Sequence, residues 1–182
     1  MNFIDLSHGG WGNSTIPVRH ARKGLVTLVE VKGGPLSTFY VYGVIDTPDR
    51  LEQGAILYTH NYGRTPGRAV VPREYTHVRI VKPSSGGSVL PRWRLGFGNS
   101  GVLPELRTAS GKRPAVLRHT GPETRIRLET GGGYANVHHH SFDGASVEKV
   151  RFGSGPFRGP VELPGPGLIA VDCLVDWTVT VI

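Results

Sequence analysis

Three consecutive histidines, His138, His139 and His140, stand in the run VHHHSFD, with Ser141 and Asp143 directly after them. Side chains alternate between the faces of a strand, so His138 and His140 share one side, about 7 Å apart, while His139 points to the other. Two imidazoles at that spacing can supply part of a divalent-metal site, because neutral imidazole is a common zinc ligand. A third ligand would have to come through the fold, from His60, His77, His119 or Asp143. A polar strand face with one histidine tucked among aromatic side chains explains the same residues without metal, and it is the preferred reading. No cofactor is therefore expected, and His138/His140 is the one place where a divalent metal could sit.

Hydrolytic chemistry has less support. Ser141 lies beside His140 and Asp143, but neighbours on a strand face opposite ways, which works against a triad built from adjacent residues. No G-x-S-x-G is present, and KPSSGGS (82–88) lacks the G-x-x-x-x-G-K-[ST] pattern of a phosphate loop. No pair of carboxylates has a recognisable spacing. The chain is read as non-enzymatic, with a metal-dependent enzyme using His138 and His140 as an alternative.

Arginines offer a different chemistry. In HVRIV and PRWRLGF, Arg79, Arg92 and Arg94 alternate with Val78, Ile80, Trp93 and Leu95; in TRIRLET, Arg125 and Arg127 alternate with Ile126 and Leu128. Alternation of that kind sends the apolar set inward and the guanidinium groups outward. A row of outward arginines suits phosphate, sulfate or carboxylate, which the planar fork grips with two hydrogen bonds. Exposed arginines also guard strand edges against aggregation. The formal net charge of +7, with a pI near 9.9, favours anionic partners through long-range attraction. No basic tail and no RNP-like aromatic motif point specifically to nucleic acid.

These residues need strands to hold them, and the chain supplies little else. It has 182 residues, 26 of them Gly and 14 Pro, with 38% hydrophobic residues, a balance that gives frequent turns around an adequate core. Strand chemistry recurs in LVTLVEV, STFYVYGVI, AILYTHNY, RAVVP, HVRIV, RWRLGF, PAVLRHT, TRIRLET, SVEKVRF and the closing GLIAVDC and WTVTV. DTPDRLEQG (46–54) reads as a polar loop with room for one helical turn. Met1 to Lys23 reads as a poorly patterned arm, and 98–114 as a linker dense in Gly, Pro, Ser and charge.

The two halves match in their punctuation. Gly34-Pro35 pairs with Gly121-Pro122, Tyr62-Gly63 with Phe152-Gly153, Pro66 with Pro156, Arg68 with Arg158, and Trp93 with Trp177. The interval from glycine to tryptophan is 59 residues in one half and 56 in the other. An internal duplication follows, giving an all-β chain of two sequence-related antiparallel, jelly-roll-like β-sandwich repeats over 24–97 and 115–182. The repeats stand in tandem or merge into one sandwich. Trp93, Leu95 and Phe97 would form the inward row of one closing strand, and Trp177, Val179 and Val181 that of the other.

The closing stretch from Arg151 to Ile182, an F-G-x-x-P turn followed by GLIAVDC and DWTVTV, resembles the last strands of bacterial β-sandwich accessory modules of the pre-peptidase C-terminal type. That resemblance implies a non-catalytic binding or stabilising role, and no ligand residue carries over from it.

Other features set bounds. No window reaches the roughly 18 apolar residues of a membrane span, and the N-terminus lacks the basic and apolar regions of a secretory signal. A cytoplasmic protein, or one exported without such a signal or built into a particle, is expected. Cys173 cannot form an intrachain disulfide, being the one cysteine; its apolar surroundings read as a buried structural thiol. The functional expectation is a binding protein that meets a protein partner or an anionic polymer through Arg79, Arg92, Arg94, Arg125 and Arg127. The alternative is a structural subunit of a phage-like or appendage assembly.

Overall fold

The computed structural model describes residues 4–23, 25–84, 90–103 and 105–182. Among the described residues, chain contacts divide it into two compact units, an N-terminal one containing residues 4–22 together with Val26–Asn99, and a C-terminal one containing Ser100–Ile182 together with Lys23 and Leu25. Both are all-β, and among the described residues the sole helical element is a 3-10 turn at Ser100–Val102.

The N-terminal unit contains β1 (His8–Trp11), β2 (Ser14–Pro17), β3 (Thr27–Gly33), β4 (Thr38–Thr47), β5 (Arg50–Asn61), β6 (Gly67–Val71), β7 (His77–Val81) and β8 (Arg92–Asn99). They pair in two antiparallel sheets, in the orders β1-β8-β3-β6 and β2-β7-β4-β5. Except at the β4–β5 hairpin, the chain changes sheet at every connection, which is the strand order of a jelly roll. Alternation fills the space between the sheets: Val29, Val31, Ala69, Trp93 and Leu95 come from one side, and Phe39, Val41, Tyr58, Val78 and Ile80 from the other.

The C-terminal unit contains β9 (Thr108–Gly111), β10 (Ala115–His119), β11 (Thr124–His140), β12 (Val147–Leu163), β13 (Gly167–Cys173) and β14 (Trp177–Val181). Its sheet runs β10-β13-β11-β14-β9, with β12 along the free side of β11. The first half of β11, Ile126–Thr130, pairs with β14, and the second half, Ala135–His140, pairs with β13. Between them Gly132 and Gly133 take positive φ, a conformation that side-chain-bearing residues resist, and the β11–β12 register shifts there. The long strands thus bend, and one core holds Ile126, Leu128, Val161 and Trp177 from one half with Val137, Ile169 and Val171 from the other.

Counting each half of β11 and of β12 as a strand, the two units have the same strand order. Trp93 opposes Gly10 in the β1–β8 pair, and Trp177 opposes Gly111 in the β14–β9 pair. A Cβ on either glycine would stand 2.7 Å from the indole, so only glycine lets the ring lie flat on the neighbouring strand. The Trp93 indole N–H donates to the Gly12 carbonyl at 3.0 Å, and that of Trp177 to the Arg113 carbonyl at 2.9 Å, each two residues past its glycine. A β-bulge also recurs, between Val41 and Tyr42 and between Val137 and His138, leaving Leu57 and Val150 unmatched.

Several expected boundaries differ from the structure. The supposed arm over 1–23 carries β1 and β2, each paired into a sheet of the N-terminal unit. The polar run 46–54 holds no helical turn; Thr47 pairs with Arg50 across Pro48 and Asp49, and both strands continue through it. The supposed linker over 98–114 contains the end of β8 and all of β9. Most of the turn expected at 82–88 lies outside the described residues. Of the punctuation pairs, Trp93 and Trp177 occupy matching places. Gly34-Pro35 instead follows β3, whereas Gly121-Pro122 precedes β11.

Candidate functional site

The outer face of the β1-β8-β3-β6 sheet is cationic at one end. Alternation along β8 buries Trp93 and Leu95 and exposes Arg92 and Arg94. Antiparallel register then sets Lys32 of β3 directly opposite Arg94, with Gly9 of β1 on its other side. Like charges directly opposite one another are unfavourable in a sheet. One row along, the same sheet does the reverse: Glu30 opposes Arg68, and their ion pair closes at 2.5 Å with Glu30 buried.

Lys32, Arg92 and Arg94 line a cavity of about 340 Å³ together with Arg64 and the Gly33-Gly34-Pro35 turn. Among the described residues, no ion pair involves any of these four cations. The loops around the cavity are tied down. The Ser37 hydroxyl donates to the Arg92 carbonyl at 3.1 Å and accepts from the Arg92 amide at 3.0 Å. Tyr62 N–H donates to the Ser37 carbonyl and Gly63 N–H to that of Pro35, which fixes the segment leading to Arg64. Tyr62 holds φ of 50°, in the left-handed region that costs an ordinary residue conformational energy. Trp11, 64% exposed, stands at the rim with the Arg92 guanidinium 5.6 Å from its ring centre.

The corresponding corner of the C-terminal unit is different. A cavity of about 470 Å³ is lined by Glu129, Gly131, Arg158, Asp176 and Trp177. Its charges are paired internally, Arg158 with Glu129 at 3.2 Å and Asp176 with Lys112 at 3.0 Å.

The arginines read from the sequence are all exposed, yet they form no single stripe. Arg79 belongs to β7 in the other sheet of the N-terminal unit. Arg125 and Arg127 belong to β11 of the C-terminal unit, where the Arg125 Nε donates to Glu162 at 2.7 Å. Only Arg92 and Arg94 share a site. Lys32, Arg64 and Trp11 were not anticipated, because what joins them is cross-strand register and loop closure, neither of which sequence periodicity reports.

His138 and His140 do share a face, with ring centroids 6.4 Å apart at 69°. His139 turns to the other side, where its Nε2 lies 3.1 Å from the Gly165 carbonyl. Among the described residues no group of three or more His, Cys, Asp or Glu is placed to hold a metal ion. The expected third ligands are engaged elsewhere: His60 stacks on Phe39, His77 contacts Thr76, His119 contacts the Pro122 carbonyl, and Asp143 accepts from Ser141 at 2.6 Å. The last contact, joined by Ala145 N–H to Asp143, closes a turn after β11. These hydrogen bonds hold the Asp143 carboxyl below the usual range.

Burial, assisted by His138 and His139, lowers the His140 pKa to about 4. The unfolded chain takes up this proton near pH 6.5 and the folded one only near 4. Stability from this group is therefore complete above pH 6.5 and lost as pH falls toward 4, by about 3 kcal/mol. Urea unfolding at steps between pH 7 and 4 should show that decline, and His140→Gln should flatten it. Cys173 is buried, and burial pushes its thiol pKa up, away from the range of a reactive thiolate.

Comparison with known protein families gives no matching family model, and comparison with curated proteins gives no match. Among the described residues no helix is long and apolar enough to cross a membrane.

Proposed function

We propose that this chain is a non-enzymatic, two-module binding protein whose N-terminal module grips the oxyanions of an anionic polymer. The observation that carries this reading is the cavity lined by Lys32, Arg64, Arg92 and Arg94, four cations with no ion-pair partner among the described residues. Opposed like charges lower stability on their own and gain it when an anion lies between them. Arginine forks suit sulfate, phosphate and carboxylate alike. The exposed Trp11 beside Arg92 adds a flat apolar surface for a sugar or base of the polymer. The net charge of +7 draws such a polymer in.

We also infer that the two modules descend from one ancestral eight-stranded unit. The shared strand order, the Trp-on-Gly contacts with their matching indole hydrogen bonds, and the repeated bulge support common origin. Divergence would then account for one corner carrying free cations and the other carrying paired charges.

The whole chain should bind heparin or duplex DNA in 50 mM salt and lose most of that affinity by 200 mM, as bound counterions are released. A titration showing no binding to either polymer at 50 mM salt would overturn the reading.

A further inference from the structure

A second kind of site stands on the C-terminal unit, on the face of β11 that carries His138 and His140. The outward residues there are Tyr134, Asn136 and His138, since Ala135 and Val137 point into the core. Register surrounds Asn136 with Phe152 of β12 on one side and Asp172 of β13 on the other. Lys149 stands opposite His138 in the next row.

Tyr134 and Phe152 are 52% and 54% exposed, yet they hold each other edge to face with centroids 5.3 Å apart at 83°. Lys149 Nζ lies 5.3 Å from the centre of the Phe152 ring. Two large rings fixed in the open beside polar groups present an apolar surface prepared for an occupant. Asn136 adds an unmet need. Only 8% of it is exposed, it stands directly across from Asp172, and its Oδ1 is buried with no partner. A buried acceptor in that state calls for a donor.

The remaining groups define what that donor belongs to. Asp172 accepts, Lys149 donates, and His138, whose burial lowers its pKa, is neutral near pH 7 and can do either. Lysine and aspartate cancel in charge, so a polyanion gains nothing here that Asp172 does not oppose. A ligand with an apolar ring face and several hydroxyls suits these groups together: its C–H face would lie on the aromatic rings, and its hydroxyls would meet Asp172 and Lys149 and offer a donor at the Asn136 position between them. We propose that the face formed by Tyr134, Asn136, His138, Lys149, Phe152 and Asp172 binds an uncharged saccharide unit. This site is independent of the cationic cavity on the N-terminal unit.

The test is affinity electrophoresis of the full chain through gels containing neutral polysaccharides of differing linkage, namely a mixed-linkage β-glucan, mannan, galactan, xylan and dextran, followed by calorimetric titration with oligosaccharides of whichever retards it. Retardation by at least one is expected, with tenfold or greater weakening in Tyr134→Ala and Phe152→Ala, whose exposed rings can be removed without opening the core. Heparin binding by these variants should match that of the unaltered chain. Failure of every neutral polysaccharide to retard the protein overturns the proposal, as does retardation that survives both substitutions. Loss of heparin binding in these variants overturns it too, since the face would then belong to the polyanion. Absence of heparin binding by the unaltered chain bears on the cationic cavity alone.

Discussion

Trp177→Ala is expected to lower the free energy of unfolding by about 3–5 kcal/mol. The indole is 4% exposed, belongs to the core of its unit, and covers Gly111, which has no side chain to fill the space the ring would leave. The substitution also removes the donor to the Arg113 carbonyl. That bond anchors the turn after β9, so the loss includes a hydrogen bond as well as a cavity. Chemical denaturation followed by far-ultraviolet circular dichroism reads the change directly. A variant with an unaltered midpoint would mean that β14 is not a core strand. Trp93→Ala removes the same kind of packing over Gly10 and should cost a similar amount in the N-terminal unit.

The tryptophan strands were the part of this protein most legible in its sequence. Strict alternation in RWRLGF and WTVTV fixes which residues turn inward, and Trp93, Leu95, Trp177 and Val179 are all buried. The all-β class was legible for the same reason. Boundaries were less so. Thr47 and Arg50 pair across a two-residue hairpin turn, but the polar residues flanking it, on exposed strand ends, look like loop. His8–Trp11 and Ser14–Pro17 are strands because partners hold them, and their own sequences, GG-rich and proline-ended, show almost no period. The matching of the halves by turn residues found the right tryptophans and mispaired the glycines, since a Gly-Pro turn can close any two strands.

The candidate site was legible only in part. Outward arginines follow from alternation, so Arg92 and Arg94 could be named. Their separation from Arg79 could not, because sheet membership depends on which strand pairs with which. Lys32 enters the site through its register with Arg94, and Arg64 through the hydrogen bonds that seat the Tyr62-Gly63 turn on Ser37 and Pro35. Both are long-range facts. The histidine run is plain in the sequence, but its surroundings are not: His138 shares its face with an aromatic pair and an amide oxygen without a hydrogen-bond partner, which strand register alone brings there.

If the cationic cavity is where a polyanion binds, removing three of its charges should nearly abolish binding. A charge-assisted hydrogen bond to the polymer is worth about 1.5–3 kcal/mol, so replacing Lys32, Arg92 and Arg94 together should weaken affinity about a thousandfold or more. All three side chains are exposed, and removing opposed like charges relieves repulsion, so the folded state should be undisturbed or slightly steadier. The slope of log affinity against log salt should fall in proportion to the three charges removed, at about 0.7–0.9 per phosphate for nucleic acid. The most direct measurement is therefore a heparin and duplex-DNA titration at 50 mM salt comparing the unaltered chain, a Lys32→Ser, Arg92→Ser, Arg94→Ser triple variant, and an Arg125→Ser, Arg127→Ser double variant. Binding in the cavity would give near-complete loss in the triple variant and near-unaltered affinity in the double. Equal losses in both, or a triple variant that binds as the unaltered chain does, would contradict it.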